Sequence, residues 1–160
     1  MLTIKLEGNM LNNWDRRYLE LAIVISGWSE DPDRKVGCVI VGRDSAIRAI
    51  GFNGLPRSIS NQVPSRFERE GGEKYRWFEH AETNAIFAAA RAGIKLEGSC
   101  MYLSWFPCDN CARAIIQAGI NRLVASEVDL ANPVWGPRMK LAHSMLEEAG
   151  VELVSWATSP

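Results

Sequence analysis

The chain has 160 residues, 47% of them apolar and 23% charged, with a formal net charge of -1, which suits one domain over 1–160 with an ordinary buried core. Acidic and basic residues are interleaved along most of it, and this argues against nucleic acid as the main partner, because such proteins carry a basic stripe. Met1 to Met10 lacks a charged segment leading into an apolar core, no apolar run approaches membrane-spanning length, and the four cysteines include one close pair, Cys108 and Cys111, too few for a disulfide framework; the expectation is a cytoplasmic protein in a reducing compartment, without a membrane partner.

In chain order, Asn12 or Asn13 is a suitable N-cap for a first helix whose apolar stripe is Trp14, Tyr18, Leu21, Ala22 and Ile25, ending near Gly27. Ser29 to Asp33 breaks it. The β-branched run Val36 to Val41, the turn Arg43-Asp44-Ser45 and the stretch Ile47 to Phe52 predict a hairpin, closed by Asn53-Gly54-Leu55-Pro56. From Gly54 to Glu79 periodicity is lost. A connection of this length is either a lid or binding loop, or a solvated excursion whose Glu68, Glu70 and Glu73 offset its cations.

His80 opens a helix with Ala81, Ala85, Ala88 and Ala92 on one face and Gly93 as C-cap. Cys100 to Ser104 reads as a strand, Cys108 to Ala118 as a helix and Leu123 to Ser126 as a short strand. Pro133, Gly136 and Pro137 punctuate a loop. Met139, Ala142, Met145, Leu146 and Ala149 mark a final helix ended by Gly150, and Val151 to Trp156 a last strand. A hairpin followed by alternating helices and strands predicts an α/β fold with helices on both faces of a mixed sheet.

His80-Ala81-Glu82 and Pro107-Cys108-Asp109-Asn110-Cys111 carry the chemistry. His-x-Glu followed by Pro-Cys-x-x-Cys is the signature of zinc nucleobase deaminases. Each half falls where a helix begins, and the free N–H groups and positive dipole end there favour thiolate at Cys108 and Cys111. Two residues between the cysteines let both sulfurs reach one tetrahedral Zn²⁺, with His80 as third ligand. A closed structural site would need a fourth. Cys100 is a strand's length away, Cys38 lies inside the hairpin as a small apolar residue, and His143 sits in the last helix. Three ligands leave a position open for water. Glu82, in the first turn beside His80, can then take a proton from that water and carry it to a ring nitrogen, and afterwards to the leaving amine.

These stretches, with Ser29, Asp31-Pro32, Lys35-Val36-Gly37, Gly51 to Pro56, Asn84-Ala85-Ile86, Met101-Tyr102-Leu103 and Ile115 to Ile120, resemble the cytidine and deoxycytidylate deaminase family, closest to its deoxycytidylate branch. The resemblance runs from about residue 14 to 125. It implies a three-layer fold with a mixed five-stranded sheet, a homo-oligomer, and deamination of a cytosine nucleotide, dCMP to dUMP. It also implies that Asn53 hydrogen-bonds the substrate's sugar or base and that the Ala81 N–H holds the ring carbonyl. Trp28 stands where allosteric members of the branch carry a basic residue, Arg91 resembles an effector-region arginine or is a solvated helix-end cation, and Asp129 to Pro137 departs from the branch. Trp105 and Trp135 are candidates to pack on a base. For a phosphate, Arg57, Arg66 and Arg76 lie in the long connection, and their spacing does not choose among them. The competing substrates are a free base, a nucleoside or another aminated heterocycle; nucleic-acid editing is disfavoured by the acidic balance, and a structural zinc module is the non-enzyme reading.

Overall fold

Asn12 caps the first helix, α1 (Asn13–Ser26): its side chain accepts from the Trp14 and Asp15 N–H groups while the Asp15 carboxylate accepts from the Asn12 N–H, an arrangement worth about 1 kcal/mol. The computed structural model describes residues 4–5 and 11–158, so the expectation made on Met1 to Met10 lies almost wholly outside the described residues. The buried face of α1 is Asp15, Tyr18, Leu19, Ala22 and Ile25, and Trp14 is 54% exposed. The stripe is thus turned from the one predicted on Trp14 and Leu21. The reason is polar: Asp15 faces inward to meet Arg122 at 2.7 Å and the Tyr102 hydroxyl at 2.9 Å, which carries Leu19 into the core and Trp14 out.

The predicted hairpin forms from β2 (Gly37–Val41) and β3 (Ile47–Phe52), and β4 (Cys100–Leu103) pairs antiparallel with β2 on its other side. β5 (Arg122–Ser126) and β6 (Glu152–Thr158) continue the sheet in parallel. These are the expected five mixed strands, and a two-residue strand, β1 (Ile4–Lys5), adds to the edge beside β6. Helices cover both faces, as expected. One face packs Leu19 and Ile25 of α1 on Val39, Val41, Tyr102, Val124 and Val154. The other packs α3 (Ala81–Ala92), α4 (Asp109–Gln117) and α5 (Gly136–Glu148) on Cys38, Ile40, Met101, Leu103 and Leu123. Alternate residues of β2 thus enter opposite cores, which explains its unbroken apolar run.

Two glycines fix the helices to the sheet. A Cβ at Gly37 would fall on the Ala22 carbonyl oxygen and 2.6 Å from Ser26 N; one at Gly51 would fall on the Ala81 carbonyl oxygen and 2.6 Å from Ala85 N. The second contact sets where α3 begins. The long connection closes on itself, because Gly54 and Glu79 exchange backbone hydrogen bonds of 3.0 and 2.8 Å. Within it, where no element was predicted, 3₁₀ turns at Pro64–Phe67 and Glu70–Gly72 lead into a short helix, α2 (Glu73–Trp77). The buried line of α3 continues from Ala85 to Ala89, leaving Ala92 exposed. Gly136 and Pro137, expected in a loop, form the first turn of α5, where proline's missing N–H costs nothing. No helix is long and apolar enough to cross a membrane among the described residues.

Candidate zinc centre and substrate cavity

Both halves of the motif occupy helix N-caps. His80 caps α3 and Cys108 caps α4, each with extended backbone (φ -81, ψ 157 and φ -82, ψ 172) and neither spending its side chain on the cap. A Ser or Asp there would bond back to its own helix; imidazole and thiol are left to project toward each other. Cys111, in the first turn of α4, brings its sulfur to 3.3 Å from His80 Nδ1, and the Cys108 sulfur lies at 3.6 Å. A tetrahedral zinc with ordinary Zn–S and Zn–N bonds spaces such donors by about 3.6 Å. The donor set fits. The three ligand atoms lie within 4.8 Å of one another, and among the described residues no fourth His, Cys, Asp or Glu joins them. Cys38 is buried in β2, Cys100 starts β4, and His143 stacks on Phe106 at 6.0 Å and pairs with Glu147.

Burial, hydrogen bonds and charge within the donor group shift its members in opposite directions. The hydrogen bond from Cys111, with the bond and charge of His80, holds Cys108 down at about 4. Burial opposes charge on His80, but the Cys108 bond and the charges of Glu82 and Cys108 outweigh it and raise the imidazole to about 9. The Cys108 bond and burial push Cys111 up. Glu82, 4% exposed, is raised mainly by burial, with the His80 charge pulling partly back. A carboxyl raised by burial takes up a proton more readily than an exposed one, which suits a group that accepts and then returns it.

His80, Ala81, Glu82 and Cys108 line one cavity of about 130 Å³ together with Asn53. The structure thus places Asn53, His80, Ala81, Glu82 and Cys108 on one cavity, and Cys111 joins His80 and Cys108 in the donor group without lining it. The first N–H groups of a helix lack intrahelical partners, and the Ala81 N–H has no hydrogen-bond acceptor among the described residues. Trp105 and Trp135 both reach the cavity, Trp135 edge-on to His80 at 5.8 Å.

The phosphate candidates fare differently. Arg57, Arg66 and Arg76 stay outside the cavity; Arg66 lies over Trp77 and donates to the Ser60 carbonyl, and Arg76 pairs with Glu73. The cations on the wall are Arg34, Arg69 and Lys74. Lys74 is taken by Asp31 and Asp33, and Arg69 donates to the Tyr75 hydroxyl. The Arg34 guanidinium stacks on Trp105, 3.8 Å from the ring centroid, and has no hydrogen-bond or ion-pair partner among the described residues. No spacing rule could have selected Arg34, because its place depends on a tryptophan beyond the next five elements, β2 to β4.

The chain is similar to known deaminases in sequence and in fold. Residues 12–127 match the model of the cytidine and deoxycytidylate deaminase zinc-binding region. An uncharacterized deaminase of Aliivibrio fischeri, from the region 3' of luxG, is 38% identical over 149 residues, 92% of this chain and 95% of the relative. Human deoxycytidylate deaminase is 38% identical over 114 residues, 69% of this chain and 63% of its own length. The crystal structure of dCMP deaminase from the cyanophage S-TIM5, in complex with dCMP and dUMP, superposes with a TM-score of 0.75 at 26% identity, covering 92% of this chain and 99% of that one.

Proposed function

The chain belongs to the cytidine and deoxycytidylate deaminase family, and on that premise we propose that it hydrolyses dCMP to dUMP and ammonia. The observation that carries this reading is an open donor set, His80 and Cys108 on the same cavity wall as the buried Glu82 carboxyl with Cys111 completing the group. His80, Cys108 and Cys111 would hold the zinc, which when bound would supply Lewis-acid activation of the attacking water.

The residues of the chain do the rest. Glu82 accepts a proton from the attacking water and passes it to the ring nitrogen beside the amine-bearing carbon, as the water oxygen bonds to that carbon. The same carboxyl takes the second proton from the new hydroxyl and gives it to the amine; the C–N bond breaks, ammonia leaves and a carbonyl remains. The Ala81 N–H donates to the ring carbonyl. Asn53 meets the sugar. Arg34, over the Trp105 ring with its donors free, takes the phosphate by charge-assisted hydrogen bonds, and Trp135 packs against the base.

The enzyme is read as a single domain over 1–160, because both cores share one sheet. It is further read as cytoplasmic and homo-oligomeric; the six-residue edge strand β3 offers a border that a second copy can cover. Ammonia release by the zinc-loaded protein across dCMP, CMP, deoxycytidine, cytosine and guanine tests the substrate. Preferred turnover of dCMP is expected. Turnover confined to free bases would overturn the reading.

A further inference from the structure

The cavity wall holds a buried ammonium that the chemistry above leaves without a task. Lys74, in α2, is 5% exposed, and its Nζ donates to Asp31 Oδ1 at 2.6 Å and Asp33 Oδ2 at 2.8 Å. A buried charge persists only when paired and hydrogen-bonded. The pairing here continues past the carboxylates. Asp31 Oδ2 accepts from Asn53 Nδ2 at 2.9 Å, the second Nδ2 hydrogen goes to the Arg34 carbonyl at 2.8 Å, and Asn53 Oδ1 accepts from the Val36 N–H at 2.8 Å. Ser29 closes the ring, donating its hydroxyl to the Asn53 carbonyl and accepting from the Asp31 N–H.

The amide of Asn53 is therefore held one way round. Turning it over would set Nδ2 against the Val36 N–H and Oδ1 against a carboxylate and a carbonyl. Both of its donors are spent, and what it has left for the cavity is a lone pair on Oδ1. Resting on the deaminase reading, we infer that Lys74 is a positioning residue that, through Asp31, locks the Asn53 amide as a pure acceptor, so that the site selects sugar-bearing substrates by a hydroxyl group and disfavours free bases. Lys74 also ties α2 of the long connection to the segment between α1 and β2, across 43 residues of sequence. The substrate preference of the cavity thus depends on a side chain that touches neither the metal donors nor the reacting carbon.

Hydrogen exchange on the zinc-loaded protein reads this lock without any substrate, because the Val36 N–H is bonded to Asn53 Oδ1 and the Asp33 and Arg34 N–H groups to Asp31 Oδ1. In Lys74→Met these amides should exchange faster by about tenfold or more, the scale of one lost charge-assisted hydrogen bond, while Ile40 in β2 is unchanged; KM for dCMP should rise by a similar factor with kcat nearly kept. Lys74→Arg should restore both in large part, and Asn53→Ala should erase the effect of Lys74→Met on KM. Unchanged exchange at Val36, or a KM effect that persists in full beside Asn53→Ala, would overturn the inference. If Lys74→Met does not fold, Asp33→Asn weakens the same anchor at an exposed position and Val36 exchange reads the result. Failure of the wild-type protein to turn over dCMP would strike the deaminase reading alone, since Val36 exchange decides the role of Lys74 either way.

Discussion

Glu82 is the residue at which metal binding and turnover come apart. It lies two positions past His80, is buried, and stands outside the donor group. Glu82→Gln keeps size but replaces the ionisable carboxyl with an amide that cannot take up and return a proton, so zinc content by atomic absorption should stay at the wild-type level while kcat falls by about 10²- to 10⁴-fold, the usual worth of a positioned acid–base group. A variant that lost its zinc would make Glu82 a support of the metal instead. Arg34 gives a second test at this scale. Arg34→Gln should raise KM for dCMP by about 10- to 100-fold, equivalent to one charge-assisted hydrogen bond, and leave KM for deoxycytidine where it was; an equal change for both would remove the phosphate role.

At the scale of elements, the site exists because two helices start at the right places. α3 starts where Gly51 lets its first turn touch β3, so Gly51→Ala forces that turn outward. Overpacking of this kind costs about 1–3 kcal/mol, and because the displaced turn carries His80, zinc affinity in chelator competition should fall along with the midpoint in urea. A urea midpoint equal to wild type would show that α3 is not seated through this contact. The helix starts and the donor set were legible in the sequence, because a metal imposes its own spacing and breakers such as Gly93 mark helix ends. The hairpin was legible from β-branched runs around Arg43-Asp44-Ser45. What was not legible depends on partners far apart in the chain. Lys74 finds Asp31 across 43 positions, Arg34 finds Trp105, and the inward turn of Asp15 rotates α1 away from its apolar periodicity. Charge in the long connection pointed to Arg57, Arg66 and Arg76; the fold turns all three away from the cavity.

Over the whole molecule, Asp15 joins the layers. Its carboxylate, 1% exposed, ties α1 to Arg122 of β5 and Tyr102 of β4. Burial pushes the carboxyl up, but the hydrogen bonds from Arg122, Tyr102 and the Asn12 N–H, with the Arg122 charge, bring it below its ordinary value of 3.8. With the folded value below the unfolded one, protons bind the unfolded chain first. The stability it contributes is complete above the ordinary carboxylate range and is lost as pH falls from there through the lower folded value. Asp15→Asn should cost about 3 kcal/mol at pH 7, the low end for breaking a buried pair because Arg122 keeps some solvent contact, and should flatten the acid limb of a stability–pH curve. An acid limb as steep as wild type would place that pH dependence elsewhere.

The open zinc site is the claim on which the chemistry stands, and X-ray absorption at the zinc edge of the loaded protein tests it most directly. Two sulfur scatterers at about 2.3 Å, one imidazole and one further light atom from solvent at about 2.0 Å are expected. A third sulfur from Cys38 or Cys100, or a second imidazole from His143, would make the site closed and structural, with no position left for water.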